Sequence, residues 1–517
     1  MASVLDRLGL AFDRAIAPFA PGWARRRIAA RAHMHLLLRA HEAGVFDRLS
    51  PHRMVSRRGP VEDSRVNLEK MRAQARELYR RNPYGRGIVN SVVANLIGCG
   101  IRPQARVLMP RKLTPDESIN DQIESEWKRW ARGCDPQGTK SYYVLQAEVE
   151  RELLVAGECL LRIGTPTDSR RLPLSLELIS SERLSLKEDP KLQGGGKVVQ
   201  GVEFDARGTI VAYHVHRAHP SDSTLVLGVD IERIQAAEVI HLFEQLEPDQ
   251  VRGMTKFATI AGTIEAYMQW LDFVLTKERV VSAFAVMIKQ SIHDINWPGT
   301  GDEADKTDSA DNDLANLEGG MIWRGNPGES IEGVSSTAQP AAVDQLSVVF
   351  LRQIARGWDV SYELLSRDLS RVTYLSARQG ENQDRRHWEP QQEVLNGRMN
   401  EPIWREFIRR AAAFGLLRLN ADDERFMAVE FVRDGWDWID PSKDVKGDID
   451  AISAGLVSPQ AAIIKRGGDP WETLNQIAQF KDWAESLGLM NLTIFQPPKA
   501  AAPVADGQSD AIIPQPA

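Results

Sequence analysis

The chain has 517 residues, 43% of them apolar and 26% charged, with a formal net charge of −7. At about 100 to 200 residues per domain it can hold several cores, and its composition is that of a globular protein rather than a low-complexity or collagen-like one. The acidic balance excludes a chain-wide basic surface of the kind that clamps nucleic acid along its phosphates.

The three cysteines, Cys99, Cys134 and Cys159, lie far apart and fit neither a CxxC nor a Cys/His zinc spacing, which points to a reducing compartment. The N-terminus shows no secretory-signal pattern, so export is not expected. The most apolar run, VVSAFAVMI at 280–288, is far shorter than the roughly 20 residues of a bilayer span, so no membrane segment is expected. GWARRRIAARAHMHLLLRAHEAG at 22–44 reads as a basic amphipathic helix for a membrane surface or nucleic acid, or as a solvated arm that packs on a neighbour. The solvated arm is the simpler reading.

In chain order, helical spacing covers 67–97, with Asn82 as a cap, Pro83 at a first helical position and Gly98 as the stop. A strand follows at IRPQARVL. Further helical patterns occupy 120–133 and 144–156, separated by the turn-like RGCDPQGTK. From 158 to 243 the period becomes two: Leu174, Leu176 and Leu178 alternate with polar residues, as do Val211, Tyr213 and Val215. This predicts an antiparallel β region with its clearest hairpin at DARG, 205–208.

A long apolar stripe comes next, made by Phe257, Ile260, Ile264, Tyr267, Leu271, Val274, Val281, Phe284 and Ile288. It predicts one helix over 255–289, a rod of roughly 50 Å. No earlier element of equal length is there to cover it, so the stripe is expected to stay exposed on a lone chain. Residues 291–340 are rich in acid and glycine, including DEADKTDSADND, and predict a protruding lobe with a small hairpin at GGMIWRGNPGESIEGV. A second helix is expected over 341–358, with Val343, Leu346, Val349, Phe350 and Ile354 on its apolar side. LSRDLSRVTYLSAR at 365–378 then forms a basic joint before a helical pattern over 375–413, bent near Pro390 and Pro402. Asp440-Pro441, Ser458-Pro459 and Asp469-Pro470 each place a capping side chain before a helix-starting proline, and Gly455, Gly467 and Gly488 supply stops. A compact helical lobe over 436–488 and a disordered Pro/Ala-rich tail after 496 complete the chain.

Chemistry is sparse. There is no GxxxxGK[ST] phosphate loop, since GGGK at 194–197 has the wrong spacing and reads as a hairpin turn. GxSxG, HExxH and paired-glycine fingerprints are also missing. His214, His216 and His219 in HVHRAH could chelate a metal from one strand face. The polar outer face of a strand predicts the same residues, and that reading is adopted. Asp422 and Asp423 sit in a turn-like segment and are read as solvent-facing. No cofactor and no enzymatic activity are expected.

The order of parts, together with RNPYGRGIVNSVVANLIGCGIRPQ (81–104), WARGCDPQG (130–138), ELLVAGECLLRI (152–163), VIHLFEQLEPDQVRGMTKFA (239–258), VSYELLSRDLSRVTYLSARQGE (360–381) and IDPSKDVKGDIDAISAGLVSPQAAIIKRGGDPWE (439–472), resembles the lambda-type portal proteins of tailed bacteriophages. The resemblance spans roughly 65–490. It departs at Thr373, where asparagine is expected, and at Leu375, which replaces a small serine.

The resemblance implies an α+β portal fold, with a β-rich wing, long stem helices, a small α/β clip and a helical crown, closed into a cyclic ring of twelve copies. On this chain it divides into an N-terminal arm (1–64), wing (65–253), first stem helix (254–290), clip (291–340), second stem helix (341–364), tunnel loop (365–378), wing long helix and return (379–435), crown (436–495) and tail (496–517). It further implies a channel for double-stranded DNA at one capsid vertex, lined by the tunnel-loop residues Arg367, Asp368, Ser370, Arg371, Thr373, Tyr374 and Arg378, whose arginines either touch phosphates without gripping them or pair with Asp368 and neighbouring acids to fix the loop. Phe257, Ile260, Ile264, Tyr267, Leu271 and Val274 are the expected subunit-interface residues of the stem. Asp302, Glu303, Asp305, Trp323 and Arg324 are the expected clip residues that dock partners. Those partners are the large terminase subunit, major capsid and scaffold proteins, and head-completion or adaptor proteins, with no membrane. The implied location is the portal vertex of the virion, after assembly in the cytoplasm of a bacterial host. Two alternatives remain: a DNA- or capsid-binding adaptor or scaffold without a channel, and a metal-dependent DNA-processing enzyme.

Overall fold

The computed structural model describes residues 59–109, 114–192, 195–222, 230–283, 286–288, 322–324, 340–370, 373–433, 435 and 441–488. The chain divides into two compact units, 1–68 with 245–252, and 69–244 with 253–517. In the smaller unit the loop 245–252 is closed by Gln250, whose Oε1 accepts from the Leu246 and Glu247 amides at 2.7 and 3.2 Å.

The larger unit carries the recognisable elements. Helix α1 (Pro60–Arg81, its first residues in the smaller unit) is followed by α2 (Pro83–Leu96). Between them the Asn82 side chain accepts from the Tyr84 and Gly85 amides, both at 2.9 Å, so the expected cap and proline start are present and split the 67–97 pattern into two helices. After β1 (Arg102–Ala105), α3 (Glu117–Ala131) and α4 (Tyr142–Ala156) flank the RGCDPQGTK turn. Gly157 ends α4 in the left-handed region at φ 86°. A Cβ there would lie 2.1 Å from the Met254 carbonyl carbon, so glycine is required by both conformation and space.

The region 158–243 is antiparallel β, as expected, in two sheets. One has the order β3–β2–β8, with β2 (Glu158–Gly164) between β3 (Ser175–Ile179) and β8 (Val239–Phe243). The other is a meander of β4 (Lys197–Val199), β5 (Val202–Phe204), β6 (Ile210–His216) and β7 (Ile231–Gln235). Asp205 closes the DARG hairpin by accepting from the Arg207 and Thr209 amides at 2.8 Å each. The expected alternation fails on β6, where Ala212 through Val215 are all buried, because both sides of the strand are covered.

The 255–289 rod is not one helix. A 3-10 turn (Lys256–Thr259) leads into α5 (Ala261–Ala283), about 35 Å long. Val286–Ile288 then form β9, which pairs in parallel with β10 (Ile322–Arg324). The apolar run VVSAFAVMI has Ser282 as its single polar residue, too little for its period to separate helix from strand; a pairing partner decides. Of the hairpin expected at 319–334 only Ile322–Arg324 fall among the described residues, and these pair with β9. Asp302, Glu303 and Asp305 lie outside the described residues, as do the 22–44 arm and the chain after 488.

Helix α6 (Pro340–Gly357) packs against α5. After the short α7 (Tyr362–Ser366), α8 (Tyr374–Leu395) and α9 (Glu401–Ala413) are joined by a π-helical turn at Asn396–Asn400, in which the Glu401 amide donates to the Asn396 carbonyl. This wide turn lies between the two prolines proposed as bend points. A buried polar set fixes it. Asn400 Oδ1 accepts from the Tyr142 hydroxyl at 2.6 Å and Gln146 Nε2 at 3.0 Å. After β11 (Val429–Val432), which pairs with β1, come α10 (Pro441–Ser453), α11 (Pro459–Lys465) and α12 (Pro470–Ser486). The expected caps Ser458 and Asp469 are formed, and Gly455, Gly467 and Gly488 all have positive φ. Asp440 lies outside the described residues.

Two apolar clusters make the core. One is built on α3, α4 and α9, with Trp127 ringed by Trp130, Tyr142, Trp404 and Phe407 at 4.8–5.2 Å between ring centroids. The other joins α2, α4, the start of α5 and the end of α6. Phe257, Ile260, Ile264 and Tyr267 are buried in this second cluster, which corrects the expectation that the whole stripe stays bare on a lone chain. Trp358 and Ile354, which follow in the same chain, cover its first half.

Candidate functional site: the joint at 357–378

The joint is built from short-range polar chemistry. At the start of α7, Ser361 Oγ accepts from the Leu364 amide at 3.3 Å and donates to Asp384 Oδ2 at 2.6 Å, while the Ser361 amide donates to Asp384 Oδ1 at 2.9 Å. The loop is thereby tied to the middle of α8. Burial pushes the Asp384 carboxyl up despite these two bonds from Ser361.

Arg367 ends α7 in the left-handed conformation at φ 55°, its amide donating to the Glu363 carbonyl at 2.8 Å. This is a position where glycine is the usual residue. Its side chain is exposed and makes no ion pair among the described residues. Asp368 Oδ1 accepts from the Ser370 amide and hydroxyl at 3.0 and 2.6 Å, and its Oδ2 accepts from the Tyr362 hydroxyl at 3.3 Å. Thr373 and Ser376 form a reciprocal capping box that starts α8 at Tyr374. The hydroxyl of Thr373 thus does the capping that an asparagine there would also do.

Arg378 is held differently: its guanidinium donates to Asp444 of α10 at 2.9 Å. It ties the long helix to the C-terminal helical lobe, so of the arginines of 365–378 that lie among the described residues, Arg367 is exposed and unpaired while Arg378 is held. Arg371 lies outside the described residues. Of the expected docking residues, Trp323 and Arg324 are placed on β10, opposite Met287 and Ile288. Leu271 and Val274 are half-buried on α5.

The three histidines of HVHRAH do not converge. His214 is buried, not on a polar outer face, and its Nε2 lies 3.1 Å from Glu203 Oε2, a carboxylate also held by Arg233 at 2.7 Å. Burial pushes the His214 imidazole down, against the opposing pull of Glu203. The His216 carbonyl accepts from Arg183 at 2.8 Å, and His219 Nδ1 accepts from the Ser221 amide at 3.2 Å. Asp422 is exposed, and Asp423, its side chain also open to solvent, caps the 3-10 turn Glu424–Met427.

Two ionic features escape the sequence reading. Arg72 on α1 is buried and meets the fully buried Glu158 at 2.9 Å, with the Ala156 and Gly253 carbonyls accepting further bonds at 3.0 and 3.2 Å. Arg76, one turn on, binds Glu152 and Glu182. The only sequence signal is the spacing of two arginines on one helix face. Burial opposes it, yet the hydrogen bond and charge of Arg76 hold Glu182 down to about 2.

The second feature is Glu150, buried on α4 near the start of α5. Burial pushes its carboxyl up to about 7, with Glu244 adding to the shift and Lys256 opposing it. Between the ordinary value of 4.5 and about 7, the folded chain binds a proton that the unfolded chain has released, so this group's contribution to stability falls as pH rises through that window. At about 1.4 kcal/mol per unit, Glu150→Gln is expected to gain roughly 3 kcal/mol over the native chain between acidic and slightly alkaline pH in urea unfolding. A difference that does not change with pH contradicts this account.

Comparison with known proteins agrees with the resemblance. The model of the family described as phage portal protein, lambda family, matches residues 47–392, more than half of the chain. The protein named "Probable portal protein" of Halomonas phage phiHAP-1 is 25% identical over 430 residues, covering 82% of each chain. Portal protein B of Escherichia phage lambda is 22% identical over 449 residues, covering 79% of this chain and 83% of that one. Among solved structures, a chain from the neck of the native gene transfer agent particle, computed with C12 symmetry, is 14% identical, with a TM-score of 0.34 over 78% of this chain and 98% of that one. The chain belongs to the lambda family of phage portal proteins.

Proposed function

We propose that this portal protein assembles as a ring of twelve copies at one capsid vertex and forms a channel for double-stranded DNA during packaging and ejection. On this reading α5 and α6 form the stem, the acidic 291–340 lobe the clip that docks the terminase and later the head-completion proteins, and 436–488 the crown. Assembly takes place in the host cytoplasm.

The observation that carries the reading is apolar surface that one chain does not cover. The first half of α5 is buried within the chain, but beyond Tyr267 the side chains of Phe273 and Leu275 are exposed, Phe273 at 72%, with Leu346 and Val349 exposed on α6. In the C-terminal lobe Leu456, in the turn after α10, is exposed at 80%, and Trp483 on α12 at 60%. Exposed apolar faces of this extent on several helices call for a partner surface, and in a cyclic ring each copy offers one face to a different face of the next.

Arg367 supports the channel role. A left-handed arginine costs backbone strain of about 1 kcal/mol or more, and such outliers gather where function needs the side chain. DNA carries about one charge per 1.7 Å of axis, so a conduit needs few cations at its narrow part if the duplex is to slide. Mass photometry of the purified chain is expected to give a species near twelve times 57.8 kDa, and Arg367→Glu is expected to keep the ring while lowering packaged DNA. A monomeric or dimeric chain sinks the ring, and unchanged packaging by the variant sinks the role of Arg367.

A further inference from the structure

We propose that the cleft beside the WARGCDPQG turn is a docking site for an acidic segment of a partner protein that carries one bulky apolar side chain. The cleft, of about 410 Å³, is lined among others by Trp130, Arg132, Arg170, Arg171, Phe414 and Leu416. That volume suits one or two side chains of a peptide.

The wall of the cleft is preformed. The Asp135 carboxylate accepts from the Thr139 and Lys140 amides at 2.6 and 2.8 Å and from the Thr139 hydroxyl at 3.0 Å, folding 135–140 back on itself. Arg171 clasps the other side, donating to the Gly133 and Asp135 carbonyls. Gly138 is left-handed at φ 79°, and a Cβ on it would meet the Arg171 guanidinium at 2.5 Å. The turn and Arg171 are therefore locked together before any partner arrives, which lowers the ordering cost of binding.

The charges at the rim divide into used and unused. Arg171 is spent on the turn, and Arg129, also at the cleft, pairs with Glu126 at 3.0 Å. Arg132 and Arg170 are exposed, and their guanidinium groups make no ion pair among the described residues, although the Arg170 amide donates to Asp168 at 2.9 Å. Beside them Phe414 and Leu416 are exposed at 45% and 39%. In a chain of net charge −7, two free arginines next to an exposed aromatic form a local positive and apolar spot. Arginine and aromatic side chains carry much of the energy at protein interfaces, and the guanidinium fork matches a carboxylate in two bonds. A duplex is too wide to enter the cleft and gains nothing from Phe414 and Leu416, so protein is favoured over DNA. The chain's own acidic run, DEADKTDSADND, has no large apolar residue and fits poorly.

The test is fluorescence anisotropy on the assembled full-length protein with a labelled peptide DEDFED, its DEDSED counterpart, and a labelled duplex of about 20 base pairs. DEDFED is expected to bind saturably and roughly tenfold more tightly than DEDSED. The double variant Arg132→Glu/Arg170→Glu, and separately Phe414→Ser, are expected to weaken DEDFED roughly tenfold. All of these side chains are exposed, so folding is not at stake, and unchanged circular dichroism and ring mass check that. Absence of saturable DEDFED binding overturns the proposal. Equal, competing binding of the duplex overturns it in favour of nucleic acid. A double variant that alters ring mass while DEDFED binding stays as in the native chain overturns it in favour of a neighbouring copy.

Discussion

Arg72→Ala is expected to lower the free energy of unfolding by about 3 to 5 kcal/mol, measured by urea denaturation followed by tryptophan fluorescence. The Arg72 and Glu158 side chains are 3% and 0% exposed. Removing the guanidinium takes its 2.9 Å ion-pair partner from a carboxylate in the interior, which the Gly253 amide, at 2.7 Å, and His241, at 3.3 Å, also approach. It also leaves the Ala156 and Gly253 carbonyls without the donors that Arg72 supplies. Replacing both partners by leucine is expected to recover much of the loss, because the cost lies in the stranded charge more than in the missing attraction. Arg81→Ala is the control. Its ion pair with Glu77 has side chains 82% and 64% exposed, and its removal is expected to change stability by less than about 0.5 kcal/mol. An Arg72 variant no less stable than the Arg81 one refutes the buried-pair account.

Trp358→Ala is expected to cost about 3 to 5 kcal/mol by the same measurement. The indole is 1% exposed and meets Phe257 edge-on at 5.0 Å between ring centroids. It fills the space between the start of α5 and the end of α6, where Gly357 already approaches Ile260 so closely that a Cβ would lie 2.3 Å from Ile260 Cγ2. Its Nε1 has no hydrogen-bond partner among the described residues, so Trp358→Phe loses packing but no polar contact and is expected to cost under half as much. Phe273, further along α5 and exposed, gives the contrast: Phe273→Ser is expected to leave chain stability nearly unchanged and, on the proposed ring assembly, to reduce the share of assembled copies. Equal stability losses for the alanine and phenylalanine variants contradict the packing account.

These two sites also show where reading the sequence stops. Helix starts and stops were legible at Asn82-Pro83, Ser458-Pro459, Asp469-Pro470, Gly455, Gly467 and Gly488, because a cap is a hydrogen bond or a left-handed turn made within a few residues. The capping box at Thr373 is local in the same sense, although its partner Ser376 was not singled out. The membership of the family was legible too, since quoted stretches such as WARGCDPQG are themselves short.

What the sequence by itself determined is most of the segments outside 255–289, their caps and turns, the absence of nucleotide and metal motifs, and the portal family. The tertiary structure alone decided that Phe257, Ile260, Ile264 and Tyr267 are covered by Trp358 and its neighbours in the same chain, that Val286–Ile288 pair as a strand with Ile322–Arg324, that His214 is buried against Glu203, and that Arg378 reaches Asp444. The physical reason is one of range. Backbone capping is satisfied by residues close in sequence, whereas an apolar stripe or a charged side chain states only that it needs a partner, and contacts between distant segments choose which one.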